Sequence, residues 1–128
     1  MAEQSWLGKR LARIRTPRQR TGDEGEEQAL AFLRQAGLSL VQRSFLCKGS
    51  EIDLIMQDGA ALVFVEVRKR ASAQFGGALA SVTPAKQRRM VHAALVYLQK
   101  IKPLPACRFD VVAIQDGRIE WLKNVITA

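Results

Sequence analysis

The stretch from residue 51 to 68 reads Glu-Ile-Asp-Leu-Ile-Met-Gln-Asp-Gly-Ala-Ala-Leu-Val-Phe-Val-Glu-Val-Arg, and it leaves the chain few ways to fold. Two β-rich runs flank Asp58-Gly59, a two-residue signal for a type I′ hairpin turn, which needs φ > 0 at both central positions. With Asp58 and Gly59 at the turn centre, Gln57 pairs with Ala60, Asp53 with Phe64 and Glu51 with Glu66. Side chains alternate along a strand, so Glu51, Asp53 and Ile55 share a face with Leu62, Phe64, Glu66 and Arg68. The opposite face, Ile52, Leu54 and Met56 against Val63, Val65 and Val67, is apolar and reads as core. Three carboxylates therefore fall within roughly 5–8 Å of one another on one face, and like charges across paired strands are destabilising. Something positive is expected beside them.

The rest of the chain supplies the layers around this hairpin. A helix is predicted from Thr21 or Asp23 to Ala36, with Asp23 as cap, Glu24, Glu26 and Glu27 near the positive end of the dipole, and Gly37 as the stop. Its buried stripe is Ala29, Leu30, Leu33 and Ala36, and Glu26 lies at the end of that stripe while Glu24 and Glu27 look outward. An acid aligned with a core-facing stripe needs a partner or a metal, or it serves only as a first-turn dipole residue. Leu38 to Leu46 reads as a strand, and Lys48-Gly49-Ser50 turns it into the hairpin. Residues 71–82, with Gly76 and Gly77 and mostly small side chains, read as a loop, either a flap or a connector.

Thr83-Pro84 opens a second helix as an N-cap followed by proline at the first position. Lys86, Arg88 and Arg89 crowd its first turn and a half, the wrong end for cations by the dipole rule, so they are either a solvated basic face or a phosphate-binding cluster. Cys107 to Ile114 reads as a central strand, and Asp116-Gly117 turns it into Arg118–Leu122. The strand, helix and strand between residues 62 and 114 form a crossover unit, which makes its two strands parallel. The predicted order is α-β-β-β-α-β-β, an α/β fold with a mixed central sheet flanked by helices.

At 128 residues, with 48% hydrophobic content, a single folded domain over 23–128 is expected behind a disordered basic arm at 1–22. Net charge is +8, and six of the cations lie in the first 22 residues against one acid, Glu3. Such an arm is a solubilising terminus or a phosphate-binding one. No apolar run approaches the roughly 20 residues of a membrane span, and the opening Met-Ala-Glu-Gln-Ser-Trp lacks the order of a secretory signal, so a cytoplasmic protein with no membrane partner is expected. One histidine, His92, and two distant cysteines, Cys47 and Cys107, are too few ligands for an ordinary zinc site.

Converging carboxylates beside a basic residue, without histidine or thiol, suit a hard divalent ion such as Mg²⁺ or Mn²⁺, which takes a few carboxylate oxygens, waters and substrate phosphate oxygens. Phosphodiester hydrolysis is the chemistry that follows, with an acidic partner such as nucleic acid matching the positive charge. Glycoside hydrolysis also uses paired carboxylates, but aromatic residues make up only 6% of this basic chain, which leaves few sugar platforms. The plain alternative has Glu51 and Glu66 facing solvent, paired with Arg68, Arg70 or Arg43.

Several motifs, Gly22-Asp-Glu-Gly-Glu26, Gly49-Ser-Glu-Ile-Asp53-Leu-Ile, Phe64-Val-Glu66-Val-Arg68-Lys-Arg70, Phe75-Gly76, Lys86, and Arg108-Phe-Asp110-Val-Val, resemble the bacterial YraN family over about residues 21 to 122. The resemblance implies a restriction-endonuclease-like core, similar to archaeal Holliday junction resolvases and to the catalytic domain of tRNA endonuclease. Its nuclease motif, an Asp, a Glu-x-Lys on the next strand and a Glu from the first helix, maps onto Asp53, Glu66 and Glu26, with Glu51 as an accessory acid. These residues would hold the metal. Arg68, which stands where the pattern carries lysine, and Gln87 would position the phosphate, while Lys86, Arg88, Arg89, Arg70 and the basic arm would hold the DNA backbone. Resolvase-like relatives further imply a homodimer. Arginine stays charged where lysine can shed a proton, so an alternative is a nucleic-acid-binding module that kept the fold and lost cleavage.

Overall fold

The computed structural model describes residues 17–70 and 82–126, with side chains over 24–69 and 82–126. The expected basic arm up to residue 16 and the expected loop at 71–81 lie outside the described residues. In chain order the elements are α1 (Pro17–Gln35), β1 (Ser39–Cys47), β2 (Ser50–Asp58), β3 (Ala61–Arg70), α2 (Pro84–Leu98), β4 (Ala106–Gln115) and β5 (Arg118–Leu122). The order is the expected α-β-β-β-α-β-β of a restriction-endonuclease-like core. The five strands form one mixed sheet in sequence order, with β3 and β4 parallel and the other neighbours antiparallel. No helix among the described residues is long and apolar enough to cross a membrane.

The first helix starts at Pro17, not at Thr21 or Asp23, so Asp23 is an interior residue and not its cap. Proline suits a first helical position because its missing N–H would have had no partner there. The helix ends as expected: Gly37 takes φ +103°, Leu38 N donates to Leu33 O at 3.0 Å, and Gly37 N donates to Arg34 O at 3.0 Å. Ala29, Leu30 and Leu33 bury against Leu54, Met56, Val63, Val65, Val112 and Ile114 on one face of the sheet. On the other face Ala93 and Ala94 of α2 cover Ile52, Ile55, Leu62 and Phe64, and Met90 packs against Val82 and Val111. Fully burying a side chain such as Phe64 or Leu54 is worth about 1.5–3 kcal/mol, which holds the strands in a single register.

That register differs from the expected one by a residue on each strand. Asp58 pairs with Ala61, Ile55 with Phe64 and Leu54 with Val65, so the turn centre is Gly59-Ala60, with φ +60° at Gly59. Glycine at the first central position is what a type II′ turn favours, and the change lets Asp58 join the ladder. Moving one residue along both strands preserves which side chains share a face. It also brings Asp53, instead of Glu51, level with Glu66.

A second departure lies at Asp53 itself. Ile52 was expected on the face of Leu54 and Met56, yet it packs with Ile55 and Phe64 beneath α2. The ladder between β2 and β3 stops after Leu54 and Val65. On the other side of β2, Arg43 pairs with Leu54 and Phe45 with Ile52, while Ser44, with φ +53°, has no place in the ladder. Both strands turn over at the same level, carrying Phe45 and Ile52 together to the α2 face. Asp53 sits at the point of divergence.

On β4, level with Val65 of β3, Asp110, with no exposed surface, accepts from Arg108 Nε at 3.1 Å, Trp121 Nε1 at 2.9 Å and the backbone N of Asn124 at 2.9 Å. Arg108 also meets Asp58 at 2.9 Å. A buried carboxylate with that many donors is satisfied, and it ties β5 and the segment after it to β4. The Asp116-Gly117 turn takes the expected form, with φ +50° and +75°.

Candidate functional site

Where β2 leaves β3, the backbone N–H of Val67 has lost its ladder partner, and the Asp53 side chain takes its place: Val67 N donates to Asp53 Oδ2 at 2.8 Å. The bond fixes the carboxylate at the fork of the two strands. Glu66, the neighbour of Val67, points to the α2 face with only 12% of its side chain exposed. Burial pushes the Asp53 carboxyl from 3.8 up to about 8; repulsion from Glu66 adds to this, Glu26 contributes further, and the bond from Val67 opposes it. At neutral pH Asp53 therefore holds a proton and shares a hydrogen bond with Glu66.

The positive groups come from two elements. Arg68, two residues along β3 on the same face, places Nη1 3.5 Å from Glu66 Oε2. Lys86 of α2 places Nζ 3.3 Å from the same oxygen. Thr83 sets the start of α2, with φ −66° and ψ 161°, and its hydroxyl accepts from Lys86 N at 3.2 Å. Lys86 is thereby held in the first turn, facing the sheet. For two of the three cations that oppose the helix dipole the crowding has a local cause: Lys86 and Arg89 face the acids across a cleft.

That cleft has a volume of about 420 Å³, with Glu51 and Glu66 on one side and Lys86, Arg89 and Met90 on the other. The Gly49-Ser50 turn and Leu46, 67% exposed, stand at its mouth. Of the residues singled out in the sequence, Asp53, Glu66 and Arg68 come together, Glu26 lies near enough to raise the Asp53 pKa, and Glu51, Lys86 and Arg89 line the cleft. Gln87 and Arg88 do not join them; both line a different groove with Val91 and Ile126, and Gln87 Nε2 donates to Val82 O at 3.0 Å. The Arg70 side chain lies outside the described residues. Sequence reasoning missed the direct Lys86 to Glu66 contact, and the only signal for it was cations at the wrong end of a helix.

Among the described residues no three carboxyl, thiol or imidazole groups already form a cage for a metal ion. Asp53 and Glu66 are the pair that could hold one, with Glu26 acting at longer range. Such a donor set suits Mg²⁺, which keeps several waters and takes one or two carboxylates along with substrate phosphate oxygens. A mutual hydrogen bond between two carboxyls also marks a place where one cation could replace one proton.

Residues 25–114 match the family model described as Uncharacterised protein family UPF0102. The UPF0102 protein of Herminiimonas arsenicoxydans is 59% identical over 116 residues, covering 91% of this chain and 94% of its own length. That of Janthinobacterium sp. (strain Marseille) is 57% identical over 116 residues with the same coverage, and that of Alkalilimnicola ehrlichii is 46% identical over 124 residues, covering 95% of this chain.

Proposed function

The chain belongs to the UPF0102 family, the one its motifs resemble under the name YraN, and we propose that it is a cytoplasmic Mg²⁺- or Mn²⁺-dependent endonuclease acting on phosphodiester bonds of structured or branched DNA. The observation that carries the reading is the Asp53 and Glu66 pair, crowded enough to raise Asp53 to about 8, with Glu66 lining a cleft whose opposite wall carries Lys86 and Arg89. Asp53 and Glu66 would hold a divalent ion, with Glu26 adding negative charge at longer range, and the ion would supply a water of lowered pKa and neutralise charge on the phosphate. The chain's own residues do the rest. The bond from Val67 N to Asp53 fixes one carboxylate, Arg68 and Lys86 offer positive charge to a phosphate oxygen, and Arg89 extends that charge along the cleft. Cations placed where charge builds act strongly in a site from which water is partly excluded.

Cleavage of a four-way junction, a flap, a duplex and an RNA hairpin with Mg²⁺ and with Mn²⁺ tests the proposal. Asp53→Ala and Glu66→Ala are expected to abolish cutting while leaving binding nearly intact, and a pure protein that cuts none of the four sinks the reading. Arg68 favours a second one, a binding module of the same fold, because a guanidinium cannot give up its proton to a nucleophile. Binding that falls steeply with salt and ignores chelator would then be the protein's whole activity.

A further inference from the structure

Two cations, Lys86 Nζ at 3.3 Å and Arg68 Nη1 at 3.5 Å, converge on a single oxygen, Glu66 Oε2. A carboxylate oxygen that accepts a divalent ion cannot keep both. We propose that Lys86 is the exchangeable partner: it holds Glu66 in place while the acids carry no metal, and it turns to the phosphate of the bound strand when a divalent ion takes Glu66. The inference rests on the endonuclease reading and adds to it a positioning residue that couples metal entry to phosphate capture.

The geometry distinguishes the two cations. Arg68 belongs to β3, and although its side chain is as exposed overall as that of Lys86, its Nε is buried with no hydrogen-bond partner among the described residues, so the root of its guanidinium is set in the fold. Lys86 reaches across from α2 on a flexible four-carbon stem, 30% exposed, and lines the same cleft as Arg89. An ammonium on a flexible stem changes partners by rotating a few bonds, whereas a planar guanidinium anchored at a buried Nε has less room to turn. Lys86 lines the cleft across from Glu66, so a phosphate that enters with the ion meets it there. The exchange leaves each group with a partner of opposite charge: the ion replaces the ammonium at Glu66, and the phosphate replaces Glu66 at the ammonium.

The test uses the full chain, Mn²⁺ binding read by electron paramagnetic resonance, and affinity for a fluorescein-labelled four-way DNA junction in Ca²⁺ and in EDTA, with Ca²⁺ as an ion that occupies carboxylates. In Lys86→Met, Mn²⁺ is expected to bind tighter than in wild type by about two- to fivefold, the scale of a half-exposed ion pair. The gain in junction affinity that Ca²⁺ gives the wild type should vanish in that variant and return in Lys86→Arg. Arg88→Met, on the other groove, should weaken the junction equally with and without Ca²⁺. Weaker Mn²⁺ binding in Lys86→Met would show that Lys86 merely builds the acid site, and an equal loss of junction affinity in Ca²⁺ and EDTA would make it a static backbone contact; either overturns the exchange while the endonuclease reading stands. If wild type itself binds no Mn²⁺ and gains nothing from Ca²⁺, the endonuclease reading falls and takes the exchange with it.

Discussion

Replacing Asp53 with asparagine removes a charge and keeps the shape, so it isolates the electrostatic state of the strand fork. The amide oxygen of asparagine can still accept from Val67 N, which Asp53 binds at 2.8 Å, whereas alanine would leave that N–H unpaired. In the folded protein the Asp53 carboxyl titrates at about 8, raised from 3.8 by burial first and by Glu66 and Glu26 next. The folded state thus keeps a proton across a pH range in which the unfolded chain has released it. A carboxyl raised in this way contributes its full stability below about pH 4, loses it progressively as pH rises towards 8, and has no more to lose beyond that. The slope has a ceiling of about 1.4 kcal/mol per pH unit, and over roughly four units the whole effect has a ceiling of about 6 kcal/mol.

The cleft is open to water and Lys86 lies close by, so part of that cost is screened; a difference of about 2–3 kcal/mol between pH 5 and pH 9 is the expected outcome. Urea unfolding in EDTA at pH 5, 7 and 9 measures it. Wild type should lose stability relative to Asp53→Asn as the pH rises, and the two should run parallel above about pH 9. Adding Mn²⁺ at pH 8 should restore wild type by supplying the missing positive charge and should leave the asparagine variant where it was. Parallel pH curves for the two proteins in EDTA would refute the claim that Asp53 is held against its charge.

Two further outcomes concern the frame around the site. Asp110→Ala strands Arg108, Trp121 Nε1 and the N–H of Asn124 around a position with no exposed surface, and should cost about 3–5 kcal/mol in urea unfolding; a loss under about 1 kcal/mol would contradict its role as the tie between β4 and β5. Gly25→Ala should stabilise the protein by about 0.5–1 kcal/mol through helix propensity, because a Cβ there meets Lys69 and Val67 at 3.6 and 3.7 Å, ordinary contact distances; a lower melting temperature would show that α1 packs closer to β3 than those distances imply.

Period-2 alternation between residues 51 and 68 was enough to put Asp53 and Glu66 on one side of the chain, and that inference survived a wrong turn centre. It survived because a move of one residue on both strands leaves the faces intact, while a move on one strand alone would have exchanged them. Alternation failed at Ile52 for a different reason. The rule extrapolates only while a strand stays in its ladder, and nothing in Arg43-Ser44-Phe45 announces that Ser44 will take a positive φ opposite Asp53. The break shapes the candidate site: had β2 stayed in its ladder, Val67 N would have been occupied by backbone and the Asp53 carboxylate would have had no fixed seat.

The lysine position follows the same logic. A residue two places beyond Glu66 on β3 is adjacent to it by the geometry of a strand, so Arg68 was legible as the neighbouring cation. Lys86 was not, since a helix after a loop can be rotated to any angle until packing decides it, and here the burial of Met90, Ala93 and Ala94 makes that decision. What the sequence did carry was a conflict, three cations at the positive end of a helix dipole, and a conflict of that kind implies a compensating charge somewhere. For Lys86 the compensating charge is Glu66, at the fork of β2 and β3. With Lys86 on Glu66, the presence of arginine at position 68 no longer leaves the site without a lysine, and it is the position of Lys86, more than the identity of residue 68, that the cleavage and exchange experiments put at risk.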